Sequence, residues 1–242
     1  GGHPPSEKRP MDISSPEFWG YIRQMANGAS ITIQLFLWSV VLALVFGTVI
    51  GIVSLSRNRV VQAVWRTYAS IVMGVPSLLV IFIIYYGGSA MLAGLFGRSL
   101  RIDVTPFGAG LAALTIVYAA YVAELVQGAV RNLPRGQFEA CSALSIRPVR
   151  AWIHVILPQV FRLALPGLVN IWLIVLKDTP LVSLAGLNDL VATAKIAAGA
   201  TKEPFVFFIA ASLFFIAFSA LTMPLVKRLE TRLGRGLAKV KS

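Results

Sequence analysis

Hydrophobic positions in this chain come in long unbroken blocks rather than in alternating or thinly spaced patterns. Stretches free of any charged residue run over 24–56, 67–97, 104–123, 163–176 and 204–226. A helix needs roughly 20 mainly apolar residues to cross a bilayer core, and four of the five stretches reach that length. The fourth is short and ends at Lys177-Asp178. Spans are therefore predicted near 30–54, 68–88, 107–128, 160–182 and 204–226, and an odd number of spans puts the two ends on opposite sides. In the first span, Gly47 and Gly51 form a small-xxx-small pair, which lets helix backbones approach closely in lipid. The spans are expected to pack as a bundle.

Composition agrees. Of the 242 residues, 57% are hydrophobic and 13% charged, against about 25% charged in a typical soluble domain. The single cysteine, Cys141, excludes an internal disulfide framework and a Cys-rich metal site. A net charge of +12 could point to nucleic acid, but the basic residues lie between apolar blocks rather than in one patch, so no nucleic-acid partner is expected.

Their distribution is topological instead. Three segments carry Arg and Lys in excess: the loop with Arg57, Arg59 and Arg66; the segment with Arg131, Arg135, Arg147, Arg150 and Arg162 against Glu139; and the tail with Lys227, Arg228, Arg232, Arg235, Lys239 and Lys241 against Glu230. Together they account for the whole net charge, while the intervening segments are nearly balanced. By the positive-inside rule the N-terminus lies outside and the C-terminus inside. The organisation expected is an extracytoplasmic segment 1–27, a transmembrane domain 28–227 with a cytoplasmic loop 131–159, and a basic cytoplasmic tail 228–242. No secretory signal is visible. Residues 1–10 are polar, precede the first methionine, Met11, and read as non-native.

The loop 131–159 is longer than the 2–8 residues an idle helix connection needs. Pro134 and Gly136 should end the preceding helix, a short helix is expected over 137–144, and Pro148 permits a second start that Pro158 should stop or kink. An ordinary interfacial helix with solvated arginines would also fit this composition. Within the loop, Glu139-Ala140-Cys141, then Leu144-Ser145, then Val155-Ile156-Leu157-Pro158 resembles the EAA loop of bacterial ABC-importer permeases. Cys141 stands where alanine is usual and Ser145 where glycine is usual. A serine held at positive φ there would cost roughly 1–2 kcal/mol, so the bend is either right-handed or strained.

Further stretches carry the resemblance over about residues 28 to 228. Gly28 and Thr32 look like the family's Gly-xxx-Thr opening. Gly74, Pro76, Leu78 and Leu79 match its Arg-Gly-Thr-Pro-Leu-Leu stretch loosely, with Met73 and Val75 departing. Ala120-Tyr121-Val122-Ala123-Glu124, then Gly128, Pro134, Gly136 and Gln137, is similar to the branch that takes up polar amino acids, basic amino acids and opines among them, with Gln127 in place of a usual arginine. Lys177, Thr179, Leu181 and Ser183 resemble its Lys-x-Thr/Ser-x-Leu-x-Ser stretch.

The resemblance implies an all-α membrane protein with the type I ABC-importer permease fold, multi-pass in the inner membrane. It implies cytoplasmic ATPase subunits carrying ATP and Mg, a second permease subunit, identical or related, and a periplasmic solute-binding protein. It also implies that Phe138, Glu139, Ala140, Leu144, Ser145 and Arg147 couple to the ATPase. No cofactor is expected in this chain.

Charges inside a span are costly and usually face the bundle interior or water. Glu124, Lys177, Asp178 and Thr179 are thus pathway candidates. Glu124 reads more simply as a packing residue bonded to a neighbouring helix or to loop arginines, while Lys177-Asp178 reads equally as a self-cancelling pair at the membrane surface. Thr179-Pro180 should break the helix after them. There is no His-Glu-x-x-His, Gly-x-Ser-x-Gly or Walker-type Gly-Lys-Ser/Thr loop, so catalysis finds no support and ATP hydrolysis is expected on another chain. Two other classes compete: an ATPase-independent secondary transporter or channel, and a membrane scaffold.

Overall fold

The apolar blocks form helices in a computed structural model that describes residues 16–96 and 104–234. The proposed non-native segment 1–10, the charges Arg98, Arg101 and Asp103, and the tail's Arg235, Lys239 and Lys241 lie outside the described residues. The helices are α1 (Pro16–Val53), α2 (Arg59–Gly74), α3 (Ser77–Phe96), α4 (Pro106–Arg131), α5 (Arg135–Ala143), α6 (Pro148–Ala151), α7 (Leu157–Asp178), α8 (Leu190–Thr201) and α9 (Pro204–Gly234). Among the described residues, four single helical segments and one bent pair are long and apolar enough to cross a membrane.

Span two is not the single helix that its composition predicts. It is α2 and α3, bent by 102° at Val75-Pro76. Pro76 has no N–H to give the Val72 carbonyl, and its ring drives the preceding residue to extended backbone. Val75 accordingly sits at φ −101°, ψ 131°.

Span one also differs, beginning at Pro16 rather than near residue 30. The 38 residues of α1 reach about 57 Å at 1.5 Å per residue, well beyond a hydrocarbon core of roughly 30 Å. Its first half is held by α8 and the start of α9, where Met25 and Ala29 pack with Leu190, Ala194, Ala197 and Phe207. The stretch 190–201, between the fourth and fifth predicted spans, is itself a helix, N-capped by the Asp189 carboxylate, which accepts from the Ala192 N–H at 2.8 Å.

The pair Gly28 and Thr32 explains this docking. A Cβ on Gly28 would lie 2.6 Å from the Asp189 carbonyl oxygen, so only glycine admits the strand of chain entering α8. Thr32 Oγ1 accepts from the Leu190 N–H at 3.2 Å and donates to the Gly28 carbonyl at 3.1 Å. Asp189 is fully buried, and its Oδ2 has no hydrogen-bond partner among the described residues. Burial pushes its carboxyl up to about 6, against the backbone N–H groups of Ala192 and Val191 that pull it down.

Contacts fix the helix directions. Gly47 meets Val122, Gly51 meets Ala123 and Val126, and Gln127 Nε2 donates to Ser54 Oγ at 2.8 Å, so α1 and α4 run parallel in close contact. The expected Gly47/Gly51 packing is thus the α1–α4 interface. Gly110 lies against Val182 and Gly167 against Leu125, which makes α7 antiparallel to α4. Phe36 stacks edge-on with Trp172 of α7 at 4.6 Å and with Phe218 of α9 at 5.7 Å. Outward faces of α1 and α9 carry Trp38, Val45, Phe46, Val49, Leu213, Ile216 and Leu221, all exposed. Such faces are stable where the surroundings are lipid.

Candidate functional site

Where α4 faces α7 and the α2–α3 bend, the bundle holds a cavity of ≈550 Å³. The bend supplies Val75, Pro76 and Ser77; α4 supplies Tyr118, Tyr121 and Glu124; α7 supplies Asn170 and Asp178. Because residues three and four apart share a helix face, Tyr118, Tyr121 and Glu124 form one stripe. Asp178 Oδ2 accepts from Ser77 Oγ and from Tyr118 Oη, each at 2.7 Å. Tyr118 is midway along α4, so this carboxylate sits near the middle of the bundle's depth, fixed to two other helices. Glu124 is six residues further on, about 9 Å along the helix, and is exposed to the cavity. No basic side chain lines the cavity among the described residues.

Of the four pathway candidates, the structure brings Glu124 and Asp178 to one cavity and leaves two elsewhere. Lys177 is exposed outside its lining. Thr179 is fully buried, its hydroxyl donating to the Leu176 carbonyl at 2.8 Å. The helix does change at that point: α7 tightens to a 3₁₀ segment, Thr179–Ala185, and ends at Gly186 with φ 89°. Ser77, Tyr118, Tyr121 and Asn170 are cavity residues that the sequence reading missed. The i, i+3, i+6 spacing of Tyr118, Tyr121 and Glu124 was the available signal.

In the loop 131–159 one short helix, α5, forms as expected, and the bend after it takes the strained, left-handed form rather than the right-handed one. Ser145 is left-handed, φ 52°. Around it the Ile146 N–H reaches the Cys141 carbonyl and the Ser145 N–H the Ser142 carbonyl, both at 3.0 Å. That pair of bonds is a Schellman cap, which usually recruits glycine at this position. Pro158 does not stop the second helix. From α6 the chain runs through a widened turn, Trp152–Ile156, into α7, the Leu157 N–H reaching the Trp152 carbonyl. A π-turn of this kind accommodates the donor missing at Pro158.

Glu139, Ala140, Leu144, Ser145 and Arg147 are exposed. Phe138 is half-buried, its ring 6.3 Å from Trp152, and Gln159 Nε2 donates to Gln137 Oε1 at 3.0 Å. Phe138 and Gln137 therefore seat α5 on the body, while the other five side chains face outward. Leu144, Val149 and Ile153 are 74%, 69% and 54% exposed.

Comparison with known proteins follows the same outline. Residues 43–235 match the family model described as binding-protein-dependent transport system inner membrane component. The chain is 36% identical over 208 residues to the nopaline transport system permease protein NocQ of Agrobacterium fabrum, covering 84% of this chain and 87% of that protein. It is 33% identical over 218 residues to the arginine ABC transporter permease protein ArtQ of Haemophilus influenzae, covering 90% and 97%. It is 34% identical over 224 residues to the histidine/lysine/arginine/ornithine transport system permease protein HisQ of Salmonella typhimurium, covering 91% and 98%. A crystal structure of an amino acid ABC transporter with histidines superposes with a TM-score of 0.75 at 26% identity, over 92% of this chain and 100% of that one. The MetNI methionine ABC transporter, at 16% identity and a TM-score of 0.65 over 92% and 100%, shares the fold.

Proposed function

The chain belongs to the family of binding-protein-dependent transport system inner membrane components, and from that premise we propose that it carries a cationic amino acid or an opine through the Glu124–Asp178 cavity. It is a multi-pass inner-membrane permease subunit of an ABC importer, in which ATP is hydrolysed on a separate subunit. An ATPase-independent transporter or channel is the poorer account of this membership.

The observation that carries the substrate reading is the cavity's charge. Two carboxylates and two tyrosines line it, without a basic side chain among the described residues. A carboxylate in a low-dielectric site favours a cationic group and rejects an anionic one. The relatives named for arginine, nopaline and histidine/lysine/arginine/ornithine transport support the same class. The α2–α3 bend adds Met73, Gly74 and Ser77 to the cavity wall, with the extended backbone of Val75 between them. Irregular backbone at membrane depth is tolerated where it lines a cavity.

The arginine-rich ends of α1 and α4 face the cytoplasm in this reading, and α5 with the Ser145 bend is the coupling surface. Cytoplasmic ATPases holding ATP and Mg press on Glu139, Ala140, Leu144, Ser145 and Arg147, with Phe138 transmitting the push to Trp152. Rigid-body rocking of the subunit against a second permease subunit then opens the cavity to alternate sides. A periplasmic solute-binding protein delivers the substrate.

Uptake into liposomes by the complete complex, with its ATPase, its second permease subunit and the solute-binding protein supplied, tests the reading. Labelled arginine should accumulate with ATP, and glutamate should not. Asp178→Asn and Glu124→Gln should each lower arginine uptake about tenfold or more with the complex intact, as expected for a desolvated charge pair worth roughly 1.5–3 kcal/mol. Equal uptake of arginine and glutamate, or full arginine uptake in both variants, would refute the substrate class.

A further inference from the structure

On the side of α4 turned away from the Glu124–Asp178 cavity lies a second concavity. There α1, α2 and α4 frame a groove of ≈1040 Å³ whose wall is almost wholly apolar, with Phe46, Val49, Val64, Leu111 and Ile116 in its lining. At about 100° per residue, Ala112, Thr115 and Ala119, which line this groove, fall opposite Val117, Tyr121 and Glu124, which line the cavity. The groove therefore opens away from the transport cavity.

One end of the groove is polar. Ser54 and Trp65 line both the groove and an adjoining pocket of ≈460 Å³ that adds Gln62, Arg66, Gln127 and Arg131. This end lies where α1 and α4 both terminate, at one level of the bundle. Gln127 is committed to Ser54. Arg66 gives its Nε–H to the Gln62 carbonyl at 3.3 Å, and Arg131 makes no side-chain hydrogen bond among the described residues. No acidic side chain lines either compartment among the described residues. The result is two guanidinium groups without a counter-charge at the head of a greasy channel.

We propose that this is a binding site for an anionic phospholipid, its acyl chain in the groove and its phosphate on Arg66 and Arg131. Guanidinium matches phosphate geometry with paired charge-assisted hydrogen bonds. Basic pockets between membrane helices hold anionic head groups, each basic side chain contributing roughly a fivefold preference. Trp65, at the junction, has the amphipathic ring that settles at the head-group level. A free phosphate would leave the groove unused, and a neutral lipid would leave the arginines unmatched, so the amphipathic shape commits to one ligand. An annular position also lets the lipid brace α2 against α4, beside the Tyr68 hydroxyl that donates to the Ile116 carbonyl at 2.6 Å.

Native mass spectrometry of the purified permease–ATPase complex tests this. The complex is exchanged into detergent with equal phosphatidylglycerol and phosphatidylcholine of matched acyl chains. The wild type should retain phosphatidylglycerol about tenfold over phosphatidylcholine, and millimolar inorganic phosphate should not displace it. Arg66→Gln with Arg131→Gln should abolish the preference. Ala112→Phe, which fills the groove and leaves both arginines, should lower retention of both lipids; this variant and the wild-type ratio decide the matter if the double substitution fails to assemble. Equal retention of the two lipids by the wild type, a preference unchanged in the double variant, or displacement by phosphate alone overturns the proposal. So does a cross-link from Ala112→Cys to another protein subunit in the assembled complex, which would make the groove a protein contact.

Discussion

Ser145 and Asp189 each show a single side chain held against its own preference. At φ 52°, Ser145 occupies a position where glycine is the unstrained choice. Ser145→Gly should stabilise the subunit by about 1 kcal/mol, read as a raised thermal midpoint in detergent; a lowered midpoint would mean that the hydroxyl contributes more than the strain costs. Asp189 has the opposite character, a carboxyl whose burial raises it from 3.8 to about 6 while its Oδ1 caps α8. A raised carboxyl binds its proton more readily folded than unfolded. Its contribution to stability therefore grows as pH falls from above 6 toward 4 and is lost again as pH rises through 6. The thermal midpoint of the wild type relative to Asp189→Asn should thus be higher at pH 4.5 than at pH 7.5. A difference that stays flat between those two pH values would show that the carboxylate is solvated.

Elements matter here through which face each one commits. In α5, Phe138 and Cys141 turn inward and Glu139 and Ala140 outward, the split a 3.6-residue period imposes, and Leu144 just past its end is exposed as well. Phe138→Ala should remove the ring contact with Trp152 and cost about 1–3 kcal/mol, less than the full cost of a wholly buried phenylalanine. Leu144→Ala, at 74% exposure, should leave the isolated subunit's thermal midpoint within error. The reverse ranking would place Leu144 in the body and Phe138 at the surface. The α2–α3 pair makes the same point on a larger scale. Its apolar residues would serve a straight span equally well, but Pro76 turns the chain by 102° and puts Ser77 within reach of Asp178.

At the scale of the whole molecule, the proposed coupling surface is the outward face of α5. Glu139→Ala changes an exposed residue and should not disturb the fold. On the proposed coupling role, it should cut the fraction of ATPase that co-purifies with the permease by several-fold. Wild-type association that the variant retains in full would move the coupling contact elsewhere on the exposed apolar edge of Leu144, Val149 and Ile153.

Long charge-free blocks were enough to identify a helical membrane bundle, because lipid tolerates no unsatisfied backbone and leaves helices as the economical answer. The spacing of Glu139, Ala140, Leu144 and Pro158 was enough to suggest the family, since those residues are local in sequence. Glu124 and Asp178 could be nominated as intramembrane charges by their cost alone. Their meeting at one cavity could not, because it depends on α7 running antiparallel to α4 and on a bend 102 residues before Asp178. Helix α8 was invisible for a similar reason. Twelve alanine-rich residues carry too little periodic signal, and what secures them is Thr32 and Gly28, about 160 residues earlier in the chain. Local composition determines which segments enter the membrane as helices, whereas sites built from side chains far apart in sequence exist only once packing has chosen their neighbours.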